Sequence, residues 1–355
     1  MALTTVRPEG MGFVTGRRNL IINGAMQVNQ RNADNTSSDT FGPDRYRLQF
    51  SGGGTTMSHE DMTSSDTPYS SGFRNFVRIK NTTTASGAGD YRQITYRLEA
   101  QDIANSGWDY TSTSAYMTVS FWVRSSVAGK FYFTLETGAS GSDKYYGFSE
   151  TLVADTWKKV EHSVPGNSTL TFANSNARGL GFIVRGWLGT NYTDSGFTED
   201  TWGSFSLSSL TGDDLANWAG TTNSTLDVVG LQMEVGTNAS DFEHRRFGEE
   251  LSLCQRYFFM PSNDDRTMFA LQGPVDAQVW WQFPFPTQMR SLPSFTVYGD
   301  NSKGQQGKAL DGNNSDYETV DTTNYSTITV GKVLHTVGTQ GANYSIKRAE
   351  FDAEL

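Results

Sequence analysis

The sequence predicts an all-β chain, an antiparallel sandwich or barrel followed by a second, smaller strand-rich unit. Three observations predict it. Aromatic residues reach 13%, with 15 Tyr, 22 Phe and 8 Trp, and such side chains suit a pleated, half-buried surface. Glycine is plentiful, 36 against 9 Pro, and with the recurring Ser, Thr, Asn and Asp it supplies turns. Short segments alternate apolar and polar residues without long helices between them, the pattern of antiparallel architectures.

Residues 1–18 are Gly/Pro-punctuated and poorly periodic, and they read as an extended arm that orders against a partner. The stretch "RRNLIINGAMQVNQRN" then reads as the first strand, with Leu20 and Ile22 on one side, Ile21 on the other, and a turn at Asn23-Gly24. "FRNFVRIKN" (Phe73 to Asn81) alternates as a half-buried strand. "YRLEAQDIANSG" (Tyr96 to Gly107) reads as a short helix that stops at glycine. "AYMTVSFWVRSS" (Ala115 to Ser126) places Met117, Val119, Phe121 and Val123 on one face. "GKFYFTLETG" (Gly129 to Gly138) follows through a short connection, and the pair reads as an antiparallel hairpin. Thr156–Val164, Arg178–Leu188 and Leu226–Gly236 are three further strands.

"FGEELSLCQRYFFM" (Phe247 to Met260) carries the clearest helix signal. Leu251, Cys254 and Phe258 form one apolar stripe, and Glu249 and Glu250 stand in the first turn, where the helix dipole favours them. Its charges suggest a connector. Beyond it, "AQVWWQFPFPTQMRSLPSFTVYG" begins as a strand, and Pro284, Pro286 and Pro293 then impose edge or loop geometry. "YSTITVGKVLHTV" and "ANYSIKRAEFDAEL" finish as strands. The divisions are therefore 1–18, an arm; 19–247, the main β-domain; 248–260, a connecting helix; and 261–355, a small β-domain. A unit of that size, rich in aromatics, gains stability from oligomerisation.

The net charge of −10 comes with no Lys/Arg cluster beyond a doublet, which argues against a nucleic-acid partner. The single Cys254 permits no intrachain disulfide or cysteine zinc site. No apolar run approaches the ~18 residues of a membrane span. The first residues lack a signal-peptide core, so synthesis in a cytoplasm without standard export is expected.

Chemical motifs are sparse. His59, His162, His244 and His335 are scattered, Gly-x-Ser-x-Gly and His-Glu-x-x-His are missing, and no Gly-rich phosphate loop is present. The adjacent acids Glu60/Asp61, Glu249/Glu250 and Asp264/Asp265 read as solvated charges. Loop aromatics give the stronger signal. Trp108, Tyr110, Tyr145, Tyr146, Trp187, Tyr192, Trp202 and Trp218 stand among Gly, Asp, Asn and Thr. Flat rings stack on sugars and nearby polar groups bind hydroxyls, so these eight are candidate glycan contacts. The competing role for each is to pin loops or fill subunit contacts.

"RRNLIINGAMQVNQR" with "FGPDRYR" (Phe41 to Arg47) resembles the opening of a jelly-roll domain found in bacteriophage tail fibres and related virion proteins. "YRLEAQDI", "AYMTVSFWVRSSVAGKFYFTL", "DTWKKVEHSV" and "LDVVGLQMEVGTNASDFEHRRFGEELSLCQRYF" resemble its later motifs, in order, over residues 17–259. "FPFPTQMRSLPSF" and "FDAEL" resemble a small C-terminal β-domain of phage fibres.

The resemblance implies a homotrimeric virion protein, made in the host cytoplasm and exposed on the particle exterior. Residues 1–18 would dock on other virion proteins, and the chain would attach the virion to host cell-surface polysaccharide as a tail fibre or receptor-binding protein. A head fibre, capsid decoration protein or tail adaptor is the alternative. With no catalytic motif, no basic cluster and no long apolar run, no catalysis, no nucleic-acid partner and no membrane insertion are expected. The chain is short for the β-helix of phage depolymerases and shows no solenoid repeat. Related carbohydrate-binding modules often hold a structural calcium with a Glu in the opening motif. Here Met26-Gln27 stands at that place, and a neutral amide is a poorer ligand for a hard cation. Asp227, in the last strand, remains the candidate calcium ligand.

Overall fold

The computed structural model describes residues 18–32, 35–138, 143–261, 268–269, 271–272, 278–299, 306–311, 317–319, 323–324, 327, 329–336, 344–346 and 348–355. The expected arm, apart from Arg18, and Asp264/Asp265 lie outside the described residues. The fold is all-β, with an antiparallel jelly-roll sandwich as its main body. Its strands are β1 (Thr40–Phe41), β2 (Arg47–Ser51), β3 (Thr55–Asp61), β4 (Asn75–Asn81), β5 (Tyr91–Glu99) and β6 (Tyr116–Ser125). They continue with β7 (Gly129–Thr137), β8 (Lys144–Leu152), β9 (Lys158–Pro165), β10 (Arg178–Leu188), β11 (Gly203–Ser204) and β12 (Thr225–Val235). A seven-stranded sheet runs β1-β2-β5-β10-β7-β8-β11, and a five-stranded sheet runs β3-β4-β12-β6-β9.

The core lies between the sheets and follows from alternation. Met117, Val119, Phe121 and Val123 of β6 are all buried. Phe121 meets Phe133 of β7 and Phe182 of β10 at ring-centroid distances of 4.7 and 5.3 Å. These contacts cross the sandwich, and they correct the expected hairpin. β6 pairs with β9 and β12, whereas β7 pairs with β8 and β10 in the other sheet. The connection, residues 126–128, is an arch between sheets. Both strands turn an apolar face to the core, and that pattern is the same whether two strands are neighbours or face each other.

The opening stretch differs from the expected strand. Residues 18–30 form an irregular buried segment beside β12. Leu20 N–H donates to the Met233 carbonyl at 2.9 Å, and the Asn19 side-chain oxygen accepts from the N–H groups of Ile21 and Met233 at 2.9 and 3.0 Å. Leu20 and Ile21 both enter the main core, while Ile22 joins Val28, Cys254 and Tyr257 in a separate cluster. Arg18 donates to the Asp241 carbonyl and so belongs to the sandwich rather than the arm.

Both helix expectations shorten. Tyr96–Glu99 completes β5, and α1 is only Ala100–Ala104. α2 spans Phe247–Gln255, and Phe258–Phe259 is already a strand. The acids of the first turn of α2, expected to be solvated, differ: Glu249 is exposed and Glu250 is not. Glu250 is buried, accepts from the Asn23 N–H at 2.5 Å and pairs with Arg245 at 3.4 Å. Burial raises its pKa.

Three small antiparallel sheets follow among the described residues. One joins Phe258–Phe259, Arg348–Asp352 and Ser294–Tyr298. The strands Gln278–Pro284 and Val330–Thr336 pair in another, and Pro286 and Pro293 fall between strands. The unit is tied to the sandwich by charge. Arg45 pairs with Glu354, and Arg31 pairs with Asp352 at 3.0 Å and with Glu354 at 3.5 Å.

Candidate ligand-binding cleft

Eight aromatic residues were candidates from sequence, and the structure separates them. Trp218 is 0% exposed and its indole N–H donates to the Thr225 carbonyl at 3.0 Å. Trp108 and Trp202 are buried, donating to the carbonyls of Ala115 at 3.2 Å and Pro165 at 2.7 Å. Tyr146 is buried against Trp202 and His162. These four rings are packing residues, with no face free for a ligand. Tyr110 is half-buried, edge-on to Phe172 at 5.0 Å, and Trp187 is half-buried against the main core. Tyr192 lines a cleft, and Tyr145 lies buried beside it.

That cleft, about 240 Å³, opens on the outer face of the seven-stranded sheet. Gln93 of β5, Arg185 of β10 and Glu136 of β7 contribute its polar groups. Register explains their meeting: Gln93 is paired with Arg185, and Glu136 projects from the neighbouring strand on β10's other side. Tyr91, Leu188 and Tyr192 supply one apolar part, and Phe205, Leu207 and Leu210 another. Tyr91 and Tyr192 stand edge to face, 5.9 Å apart. Phe205 and Leu207 are 39% and 59% exposed, and Phe205 stands edge to face with Tyr145, ring centroids 6.1 Å apart.

The polar groups are preorganised. Arg185 donates from Nε to Thr134 Oγ1 at 3.2 Å, from Nη2 to Glu136 Oε1 at 2.7 Å, and from Nη1 to Gln93 Oε1. The other Glu136 oxygen accepts from Arg178 Nη2 at 2.9 Å. Gln93 Nε2 donates to Gln49 Oε1 at 3.0 Å, extending the network onto β2. Burial works against the Arg185 charge, but Tyr145 and Glu136 together outweigh it and raise its pKa.

The wall of the cleft comes from the excursion between β10 and β12, and this segment is anchored at several points. Tyr145 hydroxyl donates to the Leu210 carbonyl. Lys130 Nζ pairs with Glu199 at 2.7 Å and Asp214 at 3.0 Å, and Tyr132 hydroxyl donates to Asp214 at 2.7 Å. Leu210 N–H donates to the Tyr192 carbonyl at 2.8 Å. Rings on rigid anchors can meet a ligand at small cost in conformational entropy.

Asp227 does not fit a calcium site. Arg78 donates to its two oxygens at 2.7 and 2.9 Å, and Arg124 Nε adds a bond at 2.9 Å. Two guanidinium groups saturate the carboxylate and repel a further cation. Among the described residues, no group of three or more His, Cys, Asp or Glu could hold a metal ion.

The histidines also have structural partners. His59 Nε2 lies 2.7 Å from the Met26 carbonyl and His244 Nε2 lies 2.8 Å from that of Ser71. The His335 side chain lies outside the described residues. No helix among the described residues is long and apolar enough to cross a membrane.

No family profile matches the sequence, and no curated protein matches it. Among solved structures, the chain is similar to the enzymatically active domain of bacteriophage CBA120 tailspike protein 4, at 8% identity and TM-score 0.34, over 61% of this chain and 21% of that one. It is similar to the CBM22-1 xylan-binding domain of Paenibacillus barcinonensis Xyn10C, at 9% identity and TM-score 0.30, over 63% and 99% of the two chains. A third is TmCBM61 in complex with β-1,4-galactotriose, at 9% identity and TM-score 0.28, over 61% and 98%. The chain thus spans about a fifth (21%) of the tailspike structure. At these TM-scores the cleft alone carries the functional reading.

Proposed function

We propose that the chain is a non-enzymatic glycan-binding protein of a phage virion, a tail fibre or receptor-binding protein that attaches the particle to host surface polysaccharide. The supporting observation is the cleft itself. Exposed Phe205 and Leu207 and half-buried Tyr91 and Tyr192 stand over Gln93, Glu136 and Arg185, whose positions are fixed by one hydrogen-bond network. Apolar surface with a few fixed polar groups suits a ligand with ring faces and hydroxyls.

The virion part of the proposal rests on the sequence resemblance, as does the homotrimer. Labelling the protein on purified particles by electron microscopy tests the placement: tail labelling is expected, and capsid labelling favours a head fibre or decoration protein. A glycan array probed with the whole chain tests binding. Release of new reducing ends from a bound polysaccharide would overturn the non-enzymatic assignment.

A further inference from the structure

The hydrogen-bonding capacity left open in the Tyr192–Phe205 cleft is lopsided. Arg185 is 2% exposed, and its Nε, Nη1 and Nη2 already donate to Thr134, Gln93 and Glu136. Gln93 Oε1 takes the Arg185 bond, and Gln93 Nε2 gives a hydrogen to Gln49 at 3.0 Å, which leaves a single amide hydrogen. Glu136 Oε1 accepts from Arg185 at 2.7 Å and Oε2 from Arg178 at 2.9 Å. A carboxylate has about four lone-pair sites, so about two stay open. Tyr192 hydroxyl donates to the Gly89 carbonyl at 3.2 Å, and its oxygen can still accept. A ligand in the cleft therefore meets mainly acceptors, and its own polar groups must donate.

The wall of the cleft repels anions. Residues 189–224 carry five carboxylates, Asp194, Glu199, Asp200, Asp213 and Asp214, and no Lys or Arg. Lys130 pairs with Glu199 and Asp214. Asp194 and Asp213 are exposed and form no ion pair among the described residues; they lie close in sequence to Tyr192 and Leu210 of the cleft lining. Arg185 and Arg178 offset the charge of Glu136, but Arg185 is buried and Arg178 does not line the cleft.

We infer that the cleft takes an uncharged glycan whose hydroxyls donate to Glu136, with its ring faces against Tyr192 and Phe205, and that Glu136 selects it. The inference rests on the glycan-binding reading and names its ligand class. Hydroxyls donate to a carboxylate through short, charge-assisted bonds. An ionised sugar carboxylate has no proton to give and meets Glu136 as a like charge.

Calorimetric titration of the full chain with oligomers of glucose, galactose and mannose, each also with its C6 hydroxyls oxidised to carboxylates, tests this. At least one uncharged form is expected to bind, and its oxidised form to bind at least tenfold more weakly. Deoxyfluoro analogues of the bound sugar then replace each hydroxyl in turn by a group of similar size that cannot donate. Loss of about tenfold is expected for at least one position, the loss of one charge-assisted bond. That loss should shrink in Glu136→Gln, with melting temperature recorded; the two ligand series decide the matter without the variant if it does not fold.

An oxidised form that binds as tightly as its uncharged parent, or fluorine tolerated at every position, with binding still lost in Tyr192→Ala, overturns the inference and leaves the glycan reading standing. Failure of every uncharged and oxidised form, or binding indifferent to Tyr192→Ala, removes the glycan reading and the inference with it.

Discussion

The rings of Phe148 and His162 are stacked, with centroids 3.9 Å apart and planes 1° from parallel. They join β8 of one sheet to β9 of the other. His162 Nε2 also lies 3.1 Å from the Tyr146 hydroxyl and 3.3 Å from Asp200 Oδ1.

Burial lowers the His162 pKa, against the opposing pull of Asp200, Glu150 and Glu199. The unfolded chain therefore binds the proton more readily than the folded one, and stability falls as pH drops below the ordinary value of 6.5. Melting temperatures measured from pH 7 to 5 should fall more in the wild type than in His162→Gln. Parallel curves would show that His162 is not the titrating group.

Glu354 and Arg45 meet at the junction of the two units with side chains only 3% and 2% exposed, and the Arg45 guanidinium lies 3.4 Å from the Tyr257 ring centroid. Glu354→Ala leaves a buried cation uncompensated and should cost about 3–5 kcal/mol in denaturant unfolding. The double change Arg45→Met/Glu354→Leu should cost less than Glu354→Ala alone, since it removes both charges.

Gly230 sits at φ +71°, and a Cβ there would stand 2.6 Å from Phe73 Cζ. It marks the register shift between Val229 and Gln232 where β12 pairs with β6. Gly230→Ala combines backbone strain with a clash and should destabilise by about 1–3 kcal/mol. Gly236→Ala is the comparison, since its φ is also positive but nothing lies within 4 Å of the added Cβ; equal losses would mean that Phe73 plays no part.

Much of the fold was legible because alternation records burial directly. The strand Arg178–Leu188 has the bounds read from its sequence. Pairing is less legible. Met117 to Val123 would show the same apolar face whether β7 lay beside it or across the core. The stretch Arg18–Gln30 looks like a strand, but bonds from Asn19 and Asn23 side chains replace a ladder there.

The burial of Trp108 and Trp218 was hidden in the sequence for a related reason. Trp108 and Trp218 each bond a carbonyl seven residues onward, Ala115 and Thr225, so polar surroundings in sequence can belong to a buried indole. Gln93, Glu136 and Arg185 come from three strands, and nothing local in any one of them signals the cleft. Phe205 was not among the sequence candidates, although it is the exposed ring at the site.

The central claim is that ligand is held at the Tyr192–Phe205 cleft. The most direct measurement is the binding isotherm of the best array glycan for wild type and for Tyr192→Ala/Phe205→Ser, with melting temperature recorded for both. The account expects at least a tenfold loss of affinity, about 1.4 kcal/mol, with melting temperature little changed because both side chains are partly exposed. Unchanged affinity in a folded double variant would contradict it.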